Sequence, residues 1–128
     1  MNDLLATVTL RRGADAPSAA RRFISEKLSV AGAAGLVPDA ALLVSELVTN
    51  AVLHTDGDDV QVDLATADGG RMRCTVIDGD PTHVPAVQTR DAARVGGQGL
   101  RIVDATARRW GVDVHDGRKA VWFELHSG

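Results

Sequence analysis

An α+β domain is what this chain predicts, and three observations carry that expectation. Residues 60–64 and 72–77 alternate apolar and polar side chains around a glycine turn, so they read as a hairpin. Residues 18–30 and 38–54 repeat apolar side chains at helical spacing. Two further alternating segments close the chain after a third helical one. No repeat, low-complexity tract or internal linker divides the 128 residues, so 1–128 is expected to be a single domain with a real core.

The elements follow in order. Thr7 to Arg12 alternates as a first strand. Pro17 opens a helix from Ser18 to Val30, with Phe23, Ile24 and Leu28 on its inner side and Gly32 and Gly35 ending it. Pro38 and Asp39 start a second helix that runs to His54, after which Thr55-Asp56-Gly57-Asp58-Asp59 is turn chemistry. Val60 to Leu64 and Met72 to Ile77 form the hairpin, turned at Asp68-Gly69-Gly70. Asp80 to Gln98 has no period and holds two prolines, a length of irregular chain that small domains commonly use as a lid. Leu100, Val103 and Ala107 mark a third helix. Trp110 to His115 and Ala120 to Leu125 are closing strands joined at Asp116-Gly117-Arg118.

Composition excludes several classes. A net charge of −3 with 45% hydrophobic residues describes a soluble globular chain without a basic nucleic-acid face. Asp3 stands where a signal peptide carries positive charge, and no run is expected to be long enough to span a bilayer, so a cytoplasmic protein is expected. The single Cys74 makes no internal disulfide and reads as a small buried apolar residue.

Chemistry concentrates in three places. Within the apolar run Leu42–His54, Glu46, Asn50 and His54 recur every four residues and so share one slowly drifting helical stripe that can face one ligand. An acid and an amide set among apolar residues cost about 1–3 kcal/mol each if unpaired, so partners are expected for both. Polar groups at a helix rim fit the same pattern. Asp78-Gly79 ends a strand with an acceptor and a backbone open to close approach, which suits an amine donor and equally an ordinary turn. Gly96-Gly97-Gln98-Gly99-Leu100 runs into a helix, where converging N–H groups suit a phosphate and glycines suit a hinge. Ile102 in place of a third glycine excludes the dinucleotide fingerprint, and no lysine phosphate loop, metal-ligand spacing or serine elbow occurs.

In their order these segments resemble a known superfamily, the ATPases that include gyrase, heat-shock chaperones and histidine kinases. Glu46-x-x-x-Asn50 is similar to its N-box, Asp78 to the start of its first glycine box, and Gly97-Gln98-Gly99-Leu100 to its second. Ser45 to Val52 and the closing Ala120-Val121-Trp122-Phe123-Glu124-Leu125 look most like the bacterial anti-sigma-factor serine/threonine kinases of that superfamily, and the likeness covers nearly the whole chain.

The resemblance implies a two-layer sandwich, the Bergerat fold, with helices on one face of a mixed, mostly antiparallel sheet. It implies ATP and Mg2+ as ligands, with Glu46 as general base, Asn50 as the magnesium ligand and Asp78 with Gly79 at the adenine amine. Gly97, Gln98, Gly99 and Leu100 would shape the lid over the phosphates, and His54 would reach a phosphate or serve as a helix-end histidine. GTP is then expected to bind less well than ATP, since its carbonyl meets Asp78 where adenine offers an amine. Two departures stand out: Asp78-Gly79-Asp80-Pro81 lacks both later glycines of the family's Asp-x-Gly-x-Gly, and Ala120 stands near a threonine that supports adenine. The implied partners are a sigma factor and an anti-anti-sigma protein, without direct nucleic-acid or membrane binding and with a homodimer among the allowed assemblies. The implied activity is phosphorylation of that antagonist. A regulator that only sequesters its partner is the alternative, and a detached histidine-kinase catalytic domain fits less well.

Overall fold

The computed structural model describes residues 3–54, 57–67, 70–79, 98–115 and 117–126. Strand β1 (Asp3–Arg11) leads to helix α1 (Ala16–Val30), a 3-10 turn (Ala34–Leu36) and helix α2 (Val37–His54). Strands β2 (Asp59–Ala67) and β3 (Arg71–Asp78) precede helix α3 (Gln98–Thr106), and β4 (Arg109–His115) and β5 (Arg118–His126) close the chain. The strands form one sheet in the order β1-β2-β3-β5-β4, antiparallel at every described pairing, so the sheet expected to be mixed is antiparallel throughout.

Alternation decides which face is covered. Val60, Val62 and Leu64 on β2, Met72, Cys74 and Val76 on β3, and Val121, Phe123 and Leu125 on β5 are all buried on one side. Onto it pack Ala16, Ala20, Ile24 and Leu28 of α1, whose spacing of four keeps them on one helical stripe. Ala40, Leu43, Val44, Leu47, Val48 and Ala51 of α2 and Val103 of α3 complete this core. Helix α2 touches both other helices and so sits centrally in the layer.

Helix ends follow local chemistry. Pro17 occupies the first turn of α1, where a missing N–H costs nothing. At the other end Gly32 takes φ +79°, and the amides of Gly32 and Ala33 bond back to Ser29 (3.2 Å) and Leu28 (2.8 Å). That left-handed residue with its paired back-bonds satisfies the last carbonyls of the helix.

One expectation is corrected here. Ala34–Leu53 is long and apolar enough to cross a membrane by length and composition, with a mean hydropathy of 1.5. In the fold its apolar stripe is spent on the core of the domain, against the sheet and the neighbouring helices. The region expected to form a lid, 80–97, lies outside the described residues, as do the turn residues 55–56, 68–69 and 116.

Candidate functional site

Helix α2 has two flanks. On one, Ser45 accepts from Arg21 Nη1 of α1 at 2.9 Å, and the Val52 carbonyl accepts from Arg12 Nε at 2.9 Å. At about 100° per residue, Glu46 and Asn50 fall on the opposite flank, the side left for α3. Both side chains are partly buried. No buried side-chain nitrogen or oxygen among the described residues lacks a partner, so neither group is left both buried and unsatisfied.

Asp78 behaves differently. It ends β3 on the helix-covered face, where it is 2% exposed. Register places it directly opposite Lys119 of β5, and Lys119 Nζ lies 3.4 Å from Asp78 Oδ2. Lys119 is itself 4% exposed. Ala120, which stands near the place of the family threonine, pairs with Ile77 and belongs to the other face. The residue facing Asp78 is Lys119, which the sequence reading did not single out. Strand register would have found the pairing: counting back from buried Phe123 and Val121 by twos reaches 119.

The end of α2 and the end of β3 come together. A side chain at Gly57, three residues past His54, would lie 3.7 Å from the backbone nitrogen of Gly79. The turn after the Glu46–Asn50 helix thus packs against the glycine after Asp78. Helix α3 begins at Gln98, so Gln98, Gly99 and Leu100 form its first turn, and α3 packs on α2. Gly97 lies outside the described residues, and so do the side chains of His54, Gln98 and Leu100.

The chemistry these side chains offer is that of oxygen acceptors, one amide and one ammonium. No group of three His, Cys, Asp or Glu among the described residues is placed to cage a metal. Asn50 and Glu46 instead offer hard oxygen donors on an accessible flank, the donor set that suits Mg2+ held largely by phosphate oxygens and water. Cys74 takes no part: burial, with the charge of Asp63 second, pushes its thiol up and keeps it inert. At the far end of β3 and β5 a cavity of about 250 Å³ is lined by Arg71, Arg108, Arg109, Glu124, Leu125 and His126.

Solved structures share this architecture. The chain is similar to the RsbU and RsbW domains of Rv1364c from Mycobacterium tuberculosis, with TM-score 0.69 and 21% identity over 94% of this chain and 32% of that one. It is similar to the SiaB–SiaC complex from Pseudomonas aeruginosa, with TM-score 0.69 and 12% identity over 96% and 90% of the two chains. It is also similar to the histidine kinase domain of the blue-light activated histidine kinase EL346 from Erythrobacter litoralis, with TM-score 0.53 and 25% identity over 70% and 44%. The chain spans about a third of the Mycobacterium chain, 32%. No protein-family model and no curated protein sequence matches it. The two-layer histidine-kinase-like fold, to which the three boxes pointed, is the fold this chain adopts.

Proposed function

We propose that the chain is an ATP-binding anti-sigma regulator that phosphorylates a serine or threonine of a small antagonist protein and holds a sigma factor when the antagonist is modified. The observation that supports this reading is that Gly57, three residues past the end of α2, lies against the backbone of Gly79, which follows Asp78 at the end of β3. The similarity in fold to an RsbW domain and a histidine kinase domain supports it.

Asn50 would hold Mg2+ through its amide oxygen, and the nucleotide supplies the phosphoryl group when bound. Glu46, one turn before Asn50, is the group that takes the proton of the attacking hydroxyl. Asp78 and Gly79 would serve the base, and Gly97, Gln98, Gly99 and Leu100, with His54, would serve the phosphates. Phosphoryl transfer asks little more of a protein than this, since positioning and charge neutralisation dominate it. The site of action is the cytoplasm, away from nucleic acid and membrane. Asp80 and Thr82, in place of the glycines of the resembled box, favour a second reading in which the chain only sequesters its partner.

Calorimetry with magnesium ATP and phosphate incorporation into a cognate antagonist test the proposal. Glu46→Gln keeps the shape of the side chain without its basicity, so affinity stays within a few fold while transfer falls by about 100-fold or more. Asn50→Ala weakens nucleotide binding and transfer together. Wild type that gives no heat at millimolar nucleotide, yet grips a sigma factor, sinks the kinase and leaves the sequestering module.

A further inference from the structure

The open face of the sheet gathers arginines at the end away from Asp78. Register sets Arg73, Glu124 and Arg109 in one row across β3, β5 and β4, and Arg71 and His126 in the row beyond it. Arg108, the residue before β4, borders the same cavity of about 250 Å³. Around that cavity the guanidiniums of Arg71, Arg108 and Arg109 meet one carboxylate, Glu124, in a chain whose formal net charge is −3. Glu124 is already engaged, since Arg73 donates to its Oε2 through both Nε and Nη2. An excess of positive charge around one hollow favours the anion that enters it.

We propose that this cavity is a binding site for a phosphate group, held by Arg108 and Arg109. It does not depend on the nucleotide reading, because Arg71 and Asp78 are the two ends of β3 and about 23 Å of strand lies between them. Both arginines are open to a ligand: the side chain of Arg109 is 68% exposed, and Arg108 beside it is exposed as well. Arg109 Nη1 stands 3.5 Å from Glu124 Oε1, beyond the roughly 2.7–2.9 Å of a tight charge-assisted bond, so it is free to turn to an incoming anion. Their backbone is held in place. The Arg108 amide donates to the Glu124 carbonyl at 2.9 Å, and Arg109 pairs with Glu124 in the ladder. Arg71 and His126, which have further partners of their own, complete the wall.

Size and charge select the ligand class. The cavity falls below the roughly 300–1,000 Å³ of pockets that enclose whole small molecules, so it takes a group rather than a nucleotide. A carboxylate has two oxygens and is served by one guanidinium fork, whereas two forks match the three oxygens and double charge of a phosphate. That phosphate arrives free or carried on a serine or threonine side chain, and the chemistry at Arg108 and Arg109 is the same for both.

The experiment is amide shift mapping by NMR on the full chain, titrated at constant ionic strength with inorganic phosphate, a phosphoserine peptide and acetate. Phosphate should give saturable shifts at Arg108, Arg109 and the Glu124–His126 end of β5, and acetate should bind about tenfold more weakly or worse. Arg108→Gln and Arg109→Gln should each weaken phosphate by about tenfold or more, the worth of a hydrogen bond to a charged group. Both positions are exposed, so the fold should survive either change. Arg22→Gln, the same loss of charge at an exposed position on α1, should leave the affinity unchanged. A phosphoserine peptide that binds more tightly than inorganic phosphate points to a modified side chain as the source, and one that binds no more tightly points to free phosphate. Shifts that never saturate, that acetate reproduces at equal concentration, or that survive both arginine variants overturn the proposal. Shifts confined to the Asp78 end of β3 overturn it too, since phosphate would then occupy the nucleotide site alone.

Discussion

Strands β3 and β5 carry two cross-strand ion pairs an odd number of residues apart, and so on opposite faces of one sheet. Asp78 and Lys119 lie under the helices, 2% and 5% exposed. Arg73 and Glu124 lie on the open face, 34% and 13% exposed, where Arg73 donates to Glu124 Oε2 through Nε at 2.8 Å and also through Nη2. There the charges are spread. The Arg73 guanidinium sits 4.1 Å from the Trp122 ring centroid, and Arg109 approaches Glu124 at 3.5 Å. On the open face water and a second arginine stand ready to replace a lost partner. Under the helices the pair is covered from water. One register rule thus produces a modest structural clasp on one side and, on the other, a pair whose halves depend on each other.

The largest expected effect tests that dependence directly. Lys119→Met should lower the unfolding free energy by about 3–5 kcal/mol, because it removes the buried ammonium that faces the Asp78 charge in the covered layer. Adding Asp78→Asn in the same chain should recover most of the loss. Urea melts of the two variants measure this, and equal stability of single and double variants would break the contrast between the faces.

A smaller effect is expected on the open face, from packing rather than charge. Gly111 lies under Trp122: a β-carbon there would sit 2.8 Å from Trp122 Cζ2, closer than real contacts allow. Gly111→Ala should cost about 1–3 kcal/mol and displace the indole from between its arginines, read as a shift in tryptophan emission. An unchanged spectrum would mean that the ring has room to move.

Least of all is expected from the clasp itself. Glu124→Gln should cost about 1 kcal/mol or less at low ionic strength, a loss that shrinks in salt as exposed pairs do. A loss as large as that of Lys119→Met would show that the open face is not open in the energetic sense.

Much of the fold was legible in the chain. Phe23, Ile24 and Leu28 were read as the inner side of α1, and Ile24 and Leu28 are fully buried with Phe23 packed against them. The hairpin of β2 and β3 needed only alternation and a glycine turn, and Gly70 takes φ +76° at its end. Strand β1 was read from Thr7, but it begins at Asp3. Its first residues pair with Ala65 and Thr66 across a bulge between Leu4 and Ala6, so a neighbour's edge and not their own alternation makes them a strand. Of the proposed site, Glu46, Asn50 and Asp78 drew attention because each interrupts a pattern. The burial of Lys119 opposite Asp78 was not legible, since a lysine beside a turn reads as solvated.

The sequence by itself determined the periodic elements, their caps and turns, and which face of each is apolar, because those depend on residues within a few positions of one another. Only the tertiary structure decided that Asp78 meets Lys119, that Glu46 and Asn50 face away from α1, and that a helix apolar enough for a membrane is spent on a core. Those outcomes depend on register between strands far apart in the chain and on the order in which helices cover a sheet. Local pattern cannot specify them, because shifting one strand by a single residue would leave every segment's periodicity intact while exchanging the two faces of the sheet.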